Sequence, residues 1–351
     1  MVSEKKISAF HSLGEQLRAI AFGKIDAETE RVISAASSAN PWFTIENILL
    51  ALGVVGKMLA KDDLEKWLAS YANKIRSSNE KKITGVINAG NIPAVGFHDF
   101  QCVLMYGNIY HGKNSSYDLH LLPFIAGLLK KIEPQFEDRI FFVDRISNPD
   151  TVIATGSNNS ARYFEYYFKK YPHIIRKNRN GVAVLDGNET AEELSGLADD
   201  VFQYFGLGCR SVSKIFIPED FDVQKLFAAF ERYNFISQHN RYMNNYNYQR
   251  VLLMMNKTPF LENGFVIVRE ETSMHSPISV LHYERYKNIE EVFKKLSALR
   301  EEVQCVACGK EMLEKYKLDK LSLVPFGQTQ NPKLWDYADG VDTMEFLVTH
   351  Q

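Results

Sequence analysis

The stretch that decides the fold is Thr151-Val152-Ile153-Ala154-Thr155, followed by Gly156-Ser157-Asn158-Asn159-Ser160 and then by Ala161 to Lys170. The short apolar, β-branched run predicts a buried strand. Gly and Ser predict a turn and a helix cap. The segment after them has helical texture. Strand, short glycine-led loop and helix form the unit from which parallel nucleotide-binding sheets are built. The loop lacks the three-glycine dinucleotide fingerprint, so taken alone it reads equally as a capped turn.

The flanking sequence extends the pattern in both directions. Ile83-Thr84-Gly85-Val86-Ile87 predicts a strand and Asn88-Ala89-Gly90-Asn91-Ile92-Pro93 a turn. Helical spacing over Val95–Tyr106 and Leu119–Ile132 and a strand over Arg139–Val143 complete an α/β alternation with a largely parallel sheet. Upstream, Phe10, Leu13, Leu17 and Ile20 mark a helix over Ser8–Phe22, with further helices over Thr44–Lys61 and Leu64–Ile75. Downstream of Arg176, strands over Gly181–Leu185, Val212–Ile217, Phe265–Val268, Ile278–Tyr283 and Val303–Ala307 alternate with helices over Ala191–Tyr204, Phe221–Tyr233 and Ile289–Leu299. A boundary near Asp186 then divides the chain. Residues 1–185 hold N-terminal helices and a nucleotide-binding α/β domain, and 186–325 a second α/β domain. Residues 326–351 form a C-terminal segment.

Composition excludes several classes. With 45% hydrophobic and 24% charged residues the chain is globular rather than disordered. Its 41 basic and 43 acidic side chains leave a net charge of −2, so neither nucleic acid nor an anionic membrane is an expected partner. The apolar run Ile48–Gly56 falls far short of the ~20 residues that cross a bilayer. Four cysteines make no disulfide framework. A cytoplasmic location is the expectation.

Few residue types carry chemistry. Cys209 follows Gly206 and Gly208 between a helix and a strand, where backbone freedom gives a ligand access. Arg210 beside it would favour the thiolate. A small buried hydrophobe in a tight turn is the competing reading. Asn91 in its Gly- and Pro-rich turn can donate to an oxyanion or simply serve the turn. Cys305-Val306-Ala307-Cys308 has no second ligand pair and reads as strand core, so no metal site is expected. The segment Asn240–Tyr248, rich in Asn and Tyr, suits either a ligand channel or a polar loop. No G-x-S-x-G elbow and no P-loop pattern occurs.

The order of these motifs resembles the aldehyde dehydrogenase superfamily, and within it the acyl-CoA reductases related to the fatty-acid reductase of bacterial bioluminescence. Asn91-Ile92-Pro93 resembles the family's Asn-Phe-Pro turn, and Gly107-Asn108 to Lys113 its Gly-Asn-x-x-x-x-Lys stretch. Ala154-Thr155-Gly156-Ser157 resembles Phe-Thr-Gly-Ser, and Phe205-Gly206-Leu207-Gly208-Cys209 the nucleophile motif. Gly264-Phe265 to Ser276-Pro277-Ile278 resembles the later strand pair. The resemblance implies two Rossmann-like α/β lobes behind an N-terminal helical region. It also implies Cys209 as nucleophile, Asn91 as oxyanion donor, and Lys113, Gly156 and Ser157 as cofactor contacts. NADPH, with NADH as the alternative, is the implied cofactor, and CoA enters as part of the substrate. Self-association into a homo-oligomer is also implied, with residues 326–351 returning to the first domain or to an oligomer contact and Met344–Val348 as the last strand.

Two departures matter. Aldehyde-oxidising members carry a water-activating Glu after the Thr-Gly-Ser helix, whereas this chain has Arg176-Lys177-Asn178-Arg179-Asn180-Gly181. Ser273 and His275 stand where the family has Glu-x-Phe. Without a general base an acyl-cysteine is not hydrolysed quickly. The resemblance therefore implies reduction of an acyl-CoA to a fatty aldehyde through acyl-Cys209. An acyl-phosphate or aldehyde enzyme of the same superfamily, or a non-catalytic acyl-CoA binder, remains the alternative. The basic run Arg176, Lys177 and Arg179 suits either phosphates or a solvated face.

Overall fold

The computed structural model describes residues 4–72, 74, 82–318 and 321–350. The chain forms two compact units, Met1–Asn178 with Lys333–Gln351, and Arg179–Pro332.

The first unit opens with helices α1 (Glu4–Phe22), α2 (Ala27–Ala39), α3 (Ile45–Met58) and α4 (Lys61–Ala69). Their starts follow from capping residues. Asp26 accepts the Thr29 N–H at 2.7 Å and Thr44 accepts the Asn47 N–H at 3.2 Å. The helix read over Leu64–Ile75 ends earlier, as α4, and Ile75 lies outside the described residues. The unit continues through β1 (Ile83–Ile87), α5 (Phe97–Tyr106), β2 (Ile109–Lys113), α6 (Leu121–Ile132), β3 (Ile140–Phe142), β4 (Thr151–Thr155), α7 (Asn158–Phe168) and β5 (His173–Arg176). The strands order as β3-β2-β1-β4-β5, every pair parallel. Phe10, Leu13, Phe100, Tyr110, Leu122 and Ile153 are in the buried core shared by the helices and the sheet.

The second unit holds β6 (Asn180–Val184), α8 (Ala191–Phe202), β7 (Val212–Pro218), α9 (Gln224–Phe230), α10 (Asn240–Met255), β8 (Leu261–Glu262), β9 (Ile267–Glu270), β10 (Val280–Tyr286), α11 (Ile289–Ala298), β11 (Val303–Cys308), α12 (Lys310–Lys315) and β12 (Ser322–Pro325). Its strands order as β12-β11-β6-β7-β10-β9-β8, with β8–β9 the one antiparallel pair. Cys305 and Cys308 are fully buried on β11.

Three local readings need correction. Met344–Val348 is not a strand. Asp342 accepts the Glu345 N–H at 2.8 Å and starts helix α13 (Thr343–Thr349), which buries Thr343, Met344 and Leu347 along one face. The Asn/Tyr-rich segment is not a loop but the first half of α10. His239 caps it by accepting the Tyr242 N–H, and Tyr242, Tyr246 and Leu253 form its buried stripe. Strand β5 has no counterpart in the sequence reading.

That strand ends in a buried ion pair. Arg176 is buried and forks onto the Asp99 carboxylate of α5, with a second bond of 2.9 Å, while its Nη2 also donates to Thr343 Oγ1 at 3.0 Å. One guanidinium thus joins β5, α5 and α13. Its neighbours in sequence are also engaged: Lys177 with Glu165, and Arg179, in the second unit, with Glu301. Asp99→Ala leaves a buried charge without its counterion, so stability should fall by ~3–5 kcal/mol. Urea unfolding of the full chain measures it, and a loss below ~1 kcal/mol would mean that the pair does not anchor the unit.

Candidate active site

In the first unit, the chain moves from β1 outward to β2 and β3 and then returns to place β4 on the other side of β1. The loops leaving β1 and β4 therefore diverge at the carboxyl edge of the sheet and open a crevice, the usual ligand position in such folds. Register fixes what lies there: Ile87 pairs with both Lys113 and Ala154. Lys113 ends β2, Asn91 lies on the loop after β1, and Gly156 and Ser157 follow β4. Four sequence-predicted residues are thus gathered along three adjacent strand ends.

Each is held locally. Asn88 donates from Nδ2 to Tyr110 OH at 2.8 Å and to Asn114 Oδ1 at 2.9 Å, and its backbone N–H reaches the Lys113 carbonyl. Asp118 accepts the Ala94 and Leu121 N–H groups, and burial raises its carboxyl above the usual range. Ala94 has φ 56°, an uncommon left-handed residue directly after Pro93. These contacts pin both ends of the turn that presents Asn91, which is exposed. Asn88 and Asp118 escaped the sequence reading; the clue was a polar residue directly after an apolar strand.

Ser157 caps α7 by accepting the Ser160 N–H at 3.2 Å. The first N–H groups of that helix have no acceptor within it and favour an anion. Gly156 keeps the approach narrow, since a Cβ there would lie 2.9 Å from Ser160 Cβ and from the Phe164 ring. Lys113 is exposed and donates from Nζ to the Asp144 carbonyl at 3.0 Å. A glycine-led helix start with a lysine on the same sheet edge fits the phosphates of a dinucleotide.

Cys209 belongs to the second unit, at the amino edge of its sheet, three residues before β7. The approach to it is strained. Tyr204, Phe205 and Gly206 have φ of 54°, 57° and 73°, and two bulky residues in the left-handed region cost ~1–3 kcal/mol each. Packing offsets that cost: both rings are buried, and Phe205 lies 4.3 Å from His239 and 6.0 Å from Tyr242, centroid to centroid. The Gly208 N–H donates to Ser211 Oγ at 3.2 Å. Of the four cysteines, Cys102, Cys305 and Cys308 are buried and Cys209 is half-buried. Burial pushes the Cys102 thiol well up and the Cys308 thiol to about 12. Among the described residues no group of three or more His, Cys, Asp or Glu is placed to hold a metal. None of the described helices is long and apolar enough to cross a membrane.

No family model and no curated protein sequence matches the chain. Solved structures do. Aldehyde dehydrogenase 21 from Physcomitrella patens, in complex with the reaction product succinate, superposes with a TM-score of 0.66 at 10% identity, over 99% of this chain and 84% of that one. An acetylating aldehyde dehydrogenase from Geobacillus thermoglucosidasius gives 0.61 at 14% identity, over 95% and 86%. An NAD-dependent aldehyde dehydrogenase from Sinorhizobium meliloti gives 0.65 at 11% identity, over 93% and 75%. The chain has the aldehyde dehydrogenase fold. Its two Rossmann-like lobes are the two units, and the helices α1–α4 precede the first sheet.

Exposure sorts the thiols. Iodoacetamide should modify Cys209 in the native protein well before Cys102, Cys305 or Cys308, as read by peptide mass. Equal labelling of all four without denaturant would contradict this ordering.

Proposed function

We propose that the protein reduces an acyl-CoA thioester to a fatty aldehyde with NAD(P)H, through an acyl-cysteine at Cys209. The observation that carries this reading is a half-buried thiol on a strained turn, in a fold whose other thiols are sealed in cores. One solved neighbour is described as an acetylating aldehyde dehydrogenase, which supports an acyl-transfer reading.

The Cys209 thiolate adds to the thioester carbonyl carbon, the carbon–sulfur bond to CoA breaks, and CoA leaves as its thiolate. The Cys209 backbone N–H and the Asn91 amide are the donors assigned to the oxyanion. Such a donor is typically worth ~10²–10³ in rate. Gly156, Ser157 and Lys113 are assigned to the nicotinamide cofactor, which supplies the hydride when bound. The hydride leaves a thiohemiacetal oxyanion on Cys209; its oxygen lone pair reforms the carbonyl, the carbon–sulfur bond breaks, and aldehyde leaves with the thiolate restored, the one proton of the overall reaction going to the released CoA thiolate. At the end of β5, where a water-activating acid would divert the acyl group to hydrolysis, Arg176 is already locked onto Asp99. The acyl group therefore survives for reduction.

NADPH and NADH consumption with acyl-CoAs of graded chain length tests the reaction, and intact-protein mass tests the intermediate. Wild type should gain one acyl mass and Cys209→Ala none, with turnover falling by at least ~10³-fold. Acylation or reduction persisting in Cys209→Ala would remove Cys209 from the mechanism. Turnover of acyl-phosphate, or of aldehyde without CoA, in place of acyl-CoA would move the substrate class.

A further inference from the structure

The turn that carries Cys209 is strapped to the helix before it. Thr329 and Gln330 are polar yet buried, in the segment after β12 and in the same unit as Cys209. Asp200 of α8, 1% exposed, holds that segment. Its Oδ2 accepts the Gly327 N–H at 2.7 Å, and its Oδ1 accepts the Thr329 N–H at 3.0 Å and the Thr329 hydroxyl at 2.8 Å. Gly196, one turn earlier on α8, permits the approach, since a Cβ there would lie 3.0 Å from the Gly327 nitrogen.

The strap in turn grips both sides of Cys209. The Thr329 carbonyl accepts the Arg210 Nε–H at 2.7 Å. Gln330 Nε2 donates to Ser211 Oγ at 3.0 Å, and that same oxygen receives the Gly208 N–H. Three donors on two oxygens suit an ionised carboxylate. Burial raises the Asp200 carboxyl to about 6 against the pull of those donors, so it is charged at neutral pH. Arg210 is buried, and its Nη2 has no hydrogen-bond partner among the described residues. Its charge is thus not shared out at that nitrogen, and it sits one residue from the thiol, where a cation favours the thiolate.

We propose that Asp200 is a positioning residue: through Gly327, Thr329 and Gln330 it fixes the Cys209 turn and holds Arg210 beside it. The proposal rests on Cys209 being the nucleophile. Asp200→Asn turns an acceptor oxygen into an amide N–H₂ that faces a backbone donor. It should slow Cys209 acylation by about 10- to 100-fold with the KM for acyl-CoA little changed, as a small displacement of a reacting group does. It should also raise the pH midpoint of Cys209 alkylation by iodoacetamide by about one unit.

Thr329→Ser keeps both donors and should restore near wild-type rates. Gln330→Met releases Ser211 and should shift both readouts in the direction of Asp200→Asn. Asp199→Asn, which touches Tyr233 and Arg232 rather than the strap, should leave both unchanged. A folded Asp200→Asn protein with wild-type acylation and midpoint overturns the proposal. Where that variant fails to fold, wild-type behaviour of Gln330→Met overturns it. If wild-type Cys209 is never acylated, the reading of the nucleophile fails instead, and the alkylation midpoints still judge the strap.

Discussion

The buried pair of Arg176 and Asp99 shapes the first unit. Two charges taken out of water cost several kcal/mol each unless their geometry satisfies them. Here the guanidinium forks onto one carboxylate and adds Thr343, so the cost is met by three elements meeting at one point. The carboxyl end of β5 belongs to the same sheet edge as the loops after β1 and β4, and a cation committed to structure stands there, holding α13 to the unit.

Strain plays the corresponding part in the second unit. Nothing in the torsional preferences of Tyr204 or Phe205 favours a left-handed conformation. Aromatic packing over-determines it, with Phe205 seated between His239 and Tyr242. The composition of helix α10, which supplies Tyr242, follows from this: Tyr242 and Tyr246 pack inward while Asn240, Asn244, Asn247 and Tyr248 are exposed. Tyr246 and Arg250 both bind Glu262, which fixes the helix against β8. A segment that looks like a ligand-binding stretch is thus scaffolding for the turn before the thiol.

Much of the fold was legible because hydrophobic period and capping are local. The β4–α7 unit, the caps at Thr44 and Ser157 and the strand at Val303 can all be read within ten residues of chain. Strand β5 was not, since Ile174 and Ile175 are its only apolar residues and His173 and Arg176 flank them. Helix α13 was misread because the resemblance implies a last strand over Met344–Val348; the Asp342 cap and the pattern of burial decide otherwise. The candidate residues near strand ends were legible as types. Their supports were not: Arg176 meets Thr343 across 167 residues, and Asp200 meets Thr329 across 129. Such partners are set by topology and leave no trace in spacing.

The solved neighbours share only 10 to 14% of their residues with this chain, yet the fold persists. That is reasonable if two different constraints are at work. Core positions ask for volume and apolarity, which many residues supply, so identity there decays freely. The turn after β4 asks for one property at each position: a glycine where a Cβ would strike Phe164, and a hydroxyl that caps a helix. A chain can therefore lose most of its likeness and still keep the fold.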